Sequence, residues 1–375
     1  MQPAPTSTKK PDPNRLILLA GAAFLAAGVG LSLFTTAGPA NNDSTRSEIT
    51  IVLEKQLDAY RSHDLGLYMS TIDPDRLFLR DCEQQRFAVA QRLGLSLPEV
   101  VLGRTEKYGD YIRVWVRDAD GWRRMFMRND GARWYISEPT SGELGEDQET
   151  VFAGVRVSYK AVERDLVDAI GRDVSSVVKA VTAHAPAPPN QLFSVKIATM
   201  ASTNGRCFVA GEAEGYGTAT LTLREVRLTD EYDRVSAETE ATLEHEALHW
   251  VQIDHAPSAM GSADWWLIEG WPYLIANTPS PGLRAHAVCT SSLPTYSQLR
   301  FGPLPDLQPE VIERYYVVAS LLVESLSAQR ADGYWKVFDG FANDSDPAVA
   351  FSSAIGLDGP SFYLTWAAAA RAKYC

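Results

Sequence analysis

Two histidines spaced four residues apart, His245 and His249, are the residues whose types and spacing best indicate chemistry. They lie in residues 244–250, Glu-His-Glu-Ala-Leu-His-Trp, which contain an H-E-x-x-H motif. Residues four apart share one face of an α-helix, so the two imidazoles converge on one point. Imidazole nitrogen is a zinc ligand, and Glu246, offset by one residue, can reach a water at the same ion. The chain has only six histidines, so this pair predicts a zinc site with a general base beside it.

The helix that must carry this pair is encoded by the residues around it, over about 236–253. Ser236 is a candidate N-cap, and Glu238 and Glu240 suit the positive end of the helix dipole in the first turn. Leu243 and Val251 supply apolar packing. We therefore expect both histidines to be held on a well-formed helix.

A mononuclear catalytic zinc needs a third protein ligand, for which the chain offers two candidates. Glu269 follows His249 after 19 residues and lies in the aromatic segment Trp265–Tyr273, where burying a carboxylate is costly unless it binds a cation. His255 has the ligand spacing of metzincins, but those proteins have a glycine where this chain has Gln252. Met260 has no recognisable Met-turn context. The sequence favours Glu269.

H-E-x-x-H followed by W-L-x-E-G-x-x-x-Y resembles the gluzincin metallopeptidases, including peptidase MA-like domains and the core of the aminopeptidase N family. The resemblance covers roughly residues 155–372. It implies three zinc ligands and a general base, namely His245, His249 and Glu269 as ligands and Glu246 as the base.

The stretch Tyr315-Tyr-Val-Val-Ala-Ser-Leu-Leu is similar to the family's helix that bears a tyrosine donating to the tetrahedral intermediate. The Ala-Ser-Leu-Leu match favours Tyr315 for that role, with Tyr316 as the alternative. The aminopeptidase Gly-x-Met-Glu-Asn motif is absent, since residues 211–215 read Gly-Glu-Ala-Glu-Gly, so recognition of an N-terminal amine is not carried over. Pro272 lies inside the expected Glu269 helix, where it removes a hydrogen bond and favours a kink.

The N-terminus reads as a membrane segment. Leu16–Phe34 is an uncharged run of 19 residues, about the length of a bilayer span, and three cations precede it, Lys9, Lys10 and Arg15. We expect a cytoplasmic tip over 1–15, a transmembrane helix over 16–36 in contact with lipid, and the rest of the chain outside the cytoplasm. A cleaved signal peptide is the alternative, with small residues at 37–40 as the cleavage site.

Two α+β domains are expected after this segment. Residues 46–140 begin with a helix and continue as alternating strands, a pattern that resembles nuclear-transport-factor-2-like domains, and we expect an accessory domain that binds an unknown partner. Pro139–Thr150 is acidic and turn-rich, which predicts a linker. Residues 151–375 read as strands followed by helices at about 236–253, 263–277, 308–328, 346–355 and 360–372, which is the α+β arrangement of a zincin-type domain.

Composition narrows the remaining possibilities. The formal net charge is −12, and a field of that sign argues against nucleic-acid binding. The four cysteines are too few for a disulfide scaffold, and their pairing stays open among Cys82, Cys207, Cys289 and Cys375.

The function expected from these features is that of a membrane-anchored extracytoplasmic zinc metallopeptidase. In this hypothesis Glu246 relays the proton during hydrolysis of a peptide or protein substrate, and the strand Thr218–Leu223 is an edge that pairs with the extended substrate. The alternative is a non-catalytic anchored binding protein with a structural or vestigial zinc site. The sequence leaves open the substrate, the cleavage specificity and the oligomeric state.

Overall fold

The computed structural model describes residues 43–92, 100–118, 121–198, 211–214, 218–222, 226–289, 292–304, 309–343 and 346–375, which form a mixed α+β protein. The predicted α+β fold class is confirmed as a mixture of helices and small sheets. The predicted membrane segment, 16–36, lies outside these residues. Within the described ranges, no helix combines the length and hydropathy that a bilayer span requires.

The first part of the chain forms three helices and an antiparallel meander. The helices are α1 (Asp43–Arg61), α2 (Leu65–Met69) and α3 (Leu77–Arg92). The strands are β1 (Val101–Tyr108), β2 (Tyr111–Asp118), β3 (Gly121–Asn129) and β4 (Trp134–Ser137). Apolar side chains of the helices and of one sheet face, including Ile49, Val114 and Met127, form a separate core. We call residues 43–140 the N-terminal module.

A second sheet follows, with strand order β5-β6-β7-β9-β8. Its strands are β5 (Asp147–Phe152), β6 (Val155–Lys160), β7 (Ser194–Ala198), β8 (Gly211–Glu214) and β9 (Thr218–Thr222), and α4 (Arg164–Thr182) connects β6 to the parallel β7. The prediction that Thr218–Leu223 forms an edge is wrong, because β9 lies between β7 and β8. Alternation of threonine and apolar residues marks a strand but does not tell an edge from an interior position.

The segment predicted as a linker, Pro139–Thr150, is mostly exposed but is anchored to the fold at a few residues. Leu144 is only 1% exposed and belongs to the core around α4. The Glu143 carboxylate accepts hydrogen bonds from Arg76 and Tyr111 of the N-terminal module, and β5 begins at Asp147. The acidic residues that suggested a linker thus find cationic and hydroxyl partners in the fold.

Arginines of the N-terminal module contact the start of α4. Arg113 donates to the Val162 carbonyl at 2.6 Å, and Arg104 Nη2 lies 3.1 Å from Asp165 Oδ2. Arg124 is buried, and its Nη1 lies 3.6 Å from Asp165 Oδ1. Since Asp165 is in the first turn of α4, its charge also suits the helix dipole. These contacts join the module to the rest of the chain.

The remainder is helical apart from the two-residue strand β10 (Arg227–Leu228). The helices are α5 (Ala237–His255), α6 (Trp265–Asn277), α7 (Pro281–Cys289), α8 (Tyr296–Phe301), α9 (Pro309–Gln329), α10 (Gly333–Asn343), α11 (Pro347–Ile355) and α12 (Gly359–Tyr374). The five predicted helices correspond to α5, α6, α9, α11 and α12, whereas α7, α8 and α10 were not predicted. A disulfide joins Cys289 to Cys375, and Cys82 is also disulfide-bonded. Cys207 lies outside the described residues.

Candidate metal centre

Helix α5 begins as the sequence indicates. The Ser236 side chain accepts a hydrogen bond from the Thr239 backbone N–H, and Glu238 and Glu240 occupy the first turn. Leu243, Ala247 and Val251 belong to the large core that includes α4. This packing holds α5 in place. His245 and His249, four residues apart on one face of that helix, are therefore in fixed positions suited to binding a metal ion.

Helix α6 brings Glu269 to the same place. Gly270 lets α6 pack closely on α9, because a Cβ at that position would lie 2.5 Å from the Ala319 carbonyl oxygen. The Asp264 carboxylate at the start of α6 accepts from the Tyr296 hydroxyl at 2.5 Å and pairs with Arg300 at 3.2 Å. Pro272, expected to kink the helix, lies inside a helix assigned continuously from Trp265 to Asn277.

Three donor atoms of these helices converge. His249 Nε2 lies 3.1 Å from His245 Nε2, and Glu269 Oε2 lies 3.3 Å from the Nε2 of His245 and 3.5 Å from that of His249. A tetrahedral zinc with bonds of about 2.0–2.1 Å holds its ligand atoms about 3.3 Å apart. All three side chains are buried, with 7–8% exposure. The donor types, their separations and their burial fit a zinc ion.

The pKa values of His249 and Glu269 also favour a bound cation. Burial lowers the pKa of the His249 imidazole, but the adjacent Glu269 carboxylate outweighs this and raises the pKa to about 9. Burial raises the pKa of Glu269, but His249 and His245 outweigh it and bring the pKa to about 2. The buried carboxylate therefore requires positive charge beside it, and a divalent cation supplies that charge in place of a proton.

Glu246 and Tyr316 of α9 interact electrostatically with this group. Glu246 is 4% exposed, and its carboxylate contributes to raising the pKa of His249. Burial raises the pKa of the Tyr316 hydroxyl, and the Glu269 and Glu246 carboxylates raise it further. The Tyr316 ring lies 5.4 Å from that of Tyr273.

Tyr315 has a different charged neighbour from Tyr316. Burial raises the pKa of its hydroxyl and Arg314 lowers it. Both rings pack against Trp265, with centroids at 6.2 Å for Tyr315 and 5.0 Å for Tyr316. The two site carboxylates raise the pKa of Tyr316, whereas Arg314 is the charged group that shifts the pKa of Tyr315.

His255, the alternative third ligand, is not part of the convergent group. Its Nε2 lies 2.7 Å from Asp339 Oδ1, and its ring packs against Trp335 at 4.9 Å. It is the last residue of α5 and joins that helix to α10. The group formed by His245, His249 and Glu269 has all its ligand atoms within 4.8 Å of one another.

Sequence reasoning missed Gln252 and Tyr334. Gln252 is fully buried, and its Oε1 lies 2.7 Å from His249 Nδ1. In the sequence it was noted only as the residue in place of a metzincin glycine. The available signal was its spacing, since a residue three positions after His249 lies on the same helix face.

Comparison with known proteins identifies one distant structural neighbour and no sequence relative. No known family profile matches the chain, and no curated protein sequence matches it. Among solved structures, the chain is similar to a point-mutant form of an M1 zinc metallopeptidase from Deinococcus radiodurans, with 11% sequence identity and a TM-score of 0.29. The match covers 72% of this chain and 60% of that one, so this chain spans less than two thirds of the neighbour's length. A likeness of this size establishes neither a shared fold nor a shared activity.

Proposed function

We propose that this protein is a zinc metallopeptidase that hydrolyses peptide bonds. The observation that carries the proposal is the convergence of His245 Nε2, His249 Nε2 and Glu269 Oε2 at separations of 3.1–3.5 Å in a buried site. Glu246 on the same helix supplies a base, which a purely structural zinc site does not need.

Each side chain has a role in the proposed mechanism. His245, His249 and Glu269 hold zinc, which when bound lowers the pKa of water and polarises a carbonyl oxygen. The Glu246 carboxylate takes a proton from the attacking water and delivers it to the nitrogen of the departing amine. The Tyr316 hydroxyl donates a hydrogen bond to the oxygen on which negative charge develops, a role for which the sequence preferred Tyr315.

The proposed substrate is an extended peptide or protein segment. Strand β8 (Gly211–Glu214) packs against α5 and pairs with β9 on one side, and it is the outer strand of the second sheet among the described residues. An extended substrate that adds beside β8 is held by backbone hydrogen bonds, which give little sequence preference.

The proposed location is extracytoplasmic, with residues 16–36 as a lipid-embedded anchor or a cleaved signal. The disulfide between Cys289 and Cys375 and the disulfide-bonded Cys82 support it, because such bonds persist in oxidising compartments. The N-terminal module is proposed to bind an unidentified partner, and no nucleic acid is expected.

The test uses residues 43–375 purified without added metal. We expect one zinc per chain by plasma mass spectrometry and cleavage of a random peptide library. Glu246→Gln should keep the zinc and lose hydrolysis, whereas His255→Ala, outside the donor group, should keep both. Full hydrolysis by Glu246→Gln would contradict the mechanism.

A non-catalytic protein with a structural zinc is the second candidate, since the three donor side chains are only 7–8% exposed. Structural zinc sites are closed by four protein ligands, whereas catalytic sites keep one position for water or substrate. Cobalt substitution separates the two. A hydroxamate that changes the visible spectrum of the cobalt protein identifies an open site, and an unchanged spectrum identifies a structural one.

A further inference from the structure

Gln252 connects the two helices that carry the proposed zinc ligands. Its Oε1 lies 2.7 Å from His249 Nδ1 on α5, and its Nε2 donates to the Ile268 carbonyl on α6 at 2.8 Å. Nε2 also donates to the Tyr334 hydroxyl on α10 at 2.7 Å. The side chain is fully buried, and all three bonds are within ordinary length.

These partners fix which end of the amide faces the histidine. The Ile268 carbonyl can only accept, so the Gln252 nitrogen must be the atom beside it. The Gln252 oxygen then faces His249 Nδ1 and can only accept, so Nδ1 must carry a hydrogen. This leaves the lone pair of the neutral imidazole on Nε2, the atom that converges with His245 and Glu269.

Pro272 explains why the Ile268 carbonyl is available. In a regular helix the carbonyl of residue 268 accepts from the N–H of residue 272, and proline has no N–H. The Gln252 amide takes its place at 2.8 Å. Two features that departed from familiar patterns, a glutamine after the motif and a proline in the ligand helix, therefore belong to one arrangement.

Tyr334 holds the other side of the amide. It is 2% exposed, and its ring stacks on Trp271 with centroids 5.4 Å apart and planes 12° from parallel. Burial raises the pKa of its hydroxyl, so the group stays neutral. With the ring held in this way, the Gln252 amide has little freedom to rotate away from His249.

We propose that Gln252 is a positioning residue that fixes the Nδ1–H form and the orientation of His249 for metal binding. The inference rests on the proposed zinc site and adds a determinant of its affinity. Hydrogen-bond partners of ligating histidines change metal affinity by about 10–100-fold when removed. A glutamine that only filled space would have no such effect.

The first experiment measures zinc affinity of residues 43–375 by competition with a chelator. We expect Gln252→Met, of similar volume, to weaken binding by about 10–100-fold. Gln252→Glu keeps an acceptor for His249 Nδ1–H but, when ionised, has no donor for the Ile268 carbonyl, so its zinc affinity should lie between those of wild type and Gln252→Met. The matched control is Asp339→Ala, which removes the His255–Asp339 contact between the same helices, α5 and α10, without touching His249. Equal affinity of wild type and Gln252→Met would overturn the proposal.

The second experiment reads the hydrogen bond without depending on metal. In protein labelled with ¹⁵N-histidine, we expect a slowly exchanging N–H signal from His249 Nδ1 with or without zinc. The signal is assigned to His249 by its absence from the His249→Asn variant. It should also be lost in Gln252→Met. A hydrogen on Nε2 but not on Nδ1 would overturn the proposal. If wild type shows the Nδ1–H signal but binds no zinc, the proposed function fails while the assignment of the hydrogen bond stands.

Discussion

Leu228 lies directly opposite Trp122 in an antiparallel ladder, so β10, just before the site helix, is part of the sheet of the N-terminal module. The adjacent Arg227 is tied to α5, because its backbone N–H donates to Thr239 Oγ1 at 2.8 Å and its carbonyl accepts from the Ser236 N–H at 2.9 Å. The module therefore supports the start of the helix that carries His245 and His249.

This relationship predicts that the second half of the chain does not fold alone. A chain of residues 146–375 lacks β3, the partner of β10, and exposes Val226 and Leu228, which are 1–2% exposed in the whole protein. We expect it to aggregate or to unfold without a sharp transition in circular dichroism. The matched control, residues 43–375, should unfold in a single cooperative step. A cooperative melt of the shorter chain with stoichiometric zinc would show that the module is dispensable.

Asp173 of α4 predicts a second dependence. Its carboxylate is buried and accepts from the Val235 N–H at 2.9 Å, one residue before the N-cap of α5, and from Arg234 at 2.6 and 2.9 Å. Asp173→Ala leaves the buried Val235 N–H without an acceptor, which costs about 1–3 kcal/mol of unfolding free energy. Urea denaturation measures this loss.

The control for this variant is Asp168→Ala on the same helix. Asp168 is about half exposed and pairs with Arg164 at 3.4 Å, so its loss should cost less than about 1 kcal/mol. Equal destabilisation by the two variants would contradict the role of Asp173 in holding the start of α5.

Local sequence patterns predicted the helix that carries the histidines and the three donor residues. The features that the sequence did not predict depend on contacts between distant residues. The cap of α5, the pair His245 and His249 and the spacing to Glu269 are encoded within short segments, because helix periodicity and capping act over a few residues. The pairing of β10 with β3 joins residues about a hundred positions apart, and a two-residue strand has no recognisable alternation. Which of Tyr315 and Tyr316 faces the donor group depends on the rotation of α9, and that rotation depends on packing against α6, which no local pattern encodes.

A third prediction concerns acid stability and Asp73. Burial raises the pKa of this carboxyl, but hydrogen bonds from Arg128, Ser137 and the Asp75 backbone outweigh burial, so the folded pKa is lowered. A lowered folded pKa means that stability is fully present above the unfolded value of about 3.9 and is lost as pH falls towards the folded pKa. Asp73→Asn should therefore be less stable than wild type at pH 6. Its free energy of unfolding should also fall less steeply than that of wild type as the pH drops below 4.

Urea denaturation across that pH range tests this, with Asp58→Asn as the control, since the Asp58 side chain is 71% exposed. The control should keep the wild-type slope. An unchanged slope in Asp73→Asn would show that other carboxyls dominate acid unfolding.

The last prediction separates the two adjacent tyrosines and rests on the proposed function. The Glu269 and Glu246 carboxylates act on the Tyr316 hydroxyl, while Tyr315 is influenced by Arg314 instead. If Tyr316 donates to the developing oxyanion, Tyr316→Phe should lower kcat by about 10²–10³-fold, with KM little changed. Tyr315→Phe should leave kcat within about threefold of wild type. Both variants should keep zinc, because neither residue belongs to the donor group. The reverse ranking in steady-state kinetics on one peptide would return the role to Tyr315 and require α9 to be rotated in the substrate complex.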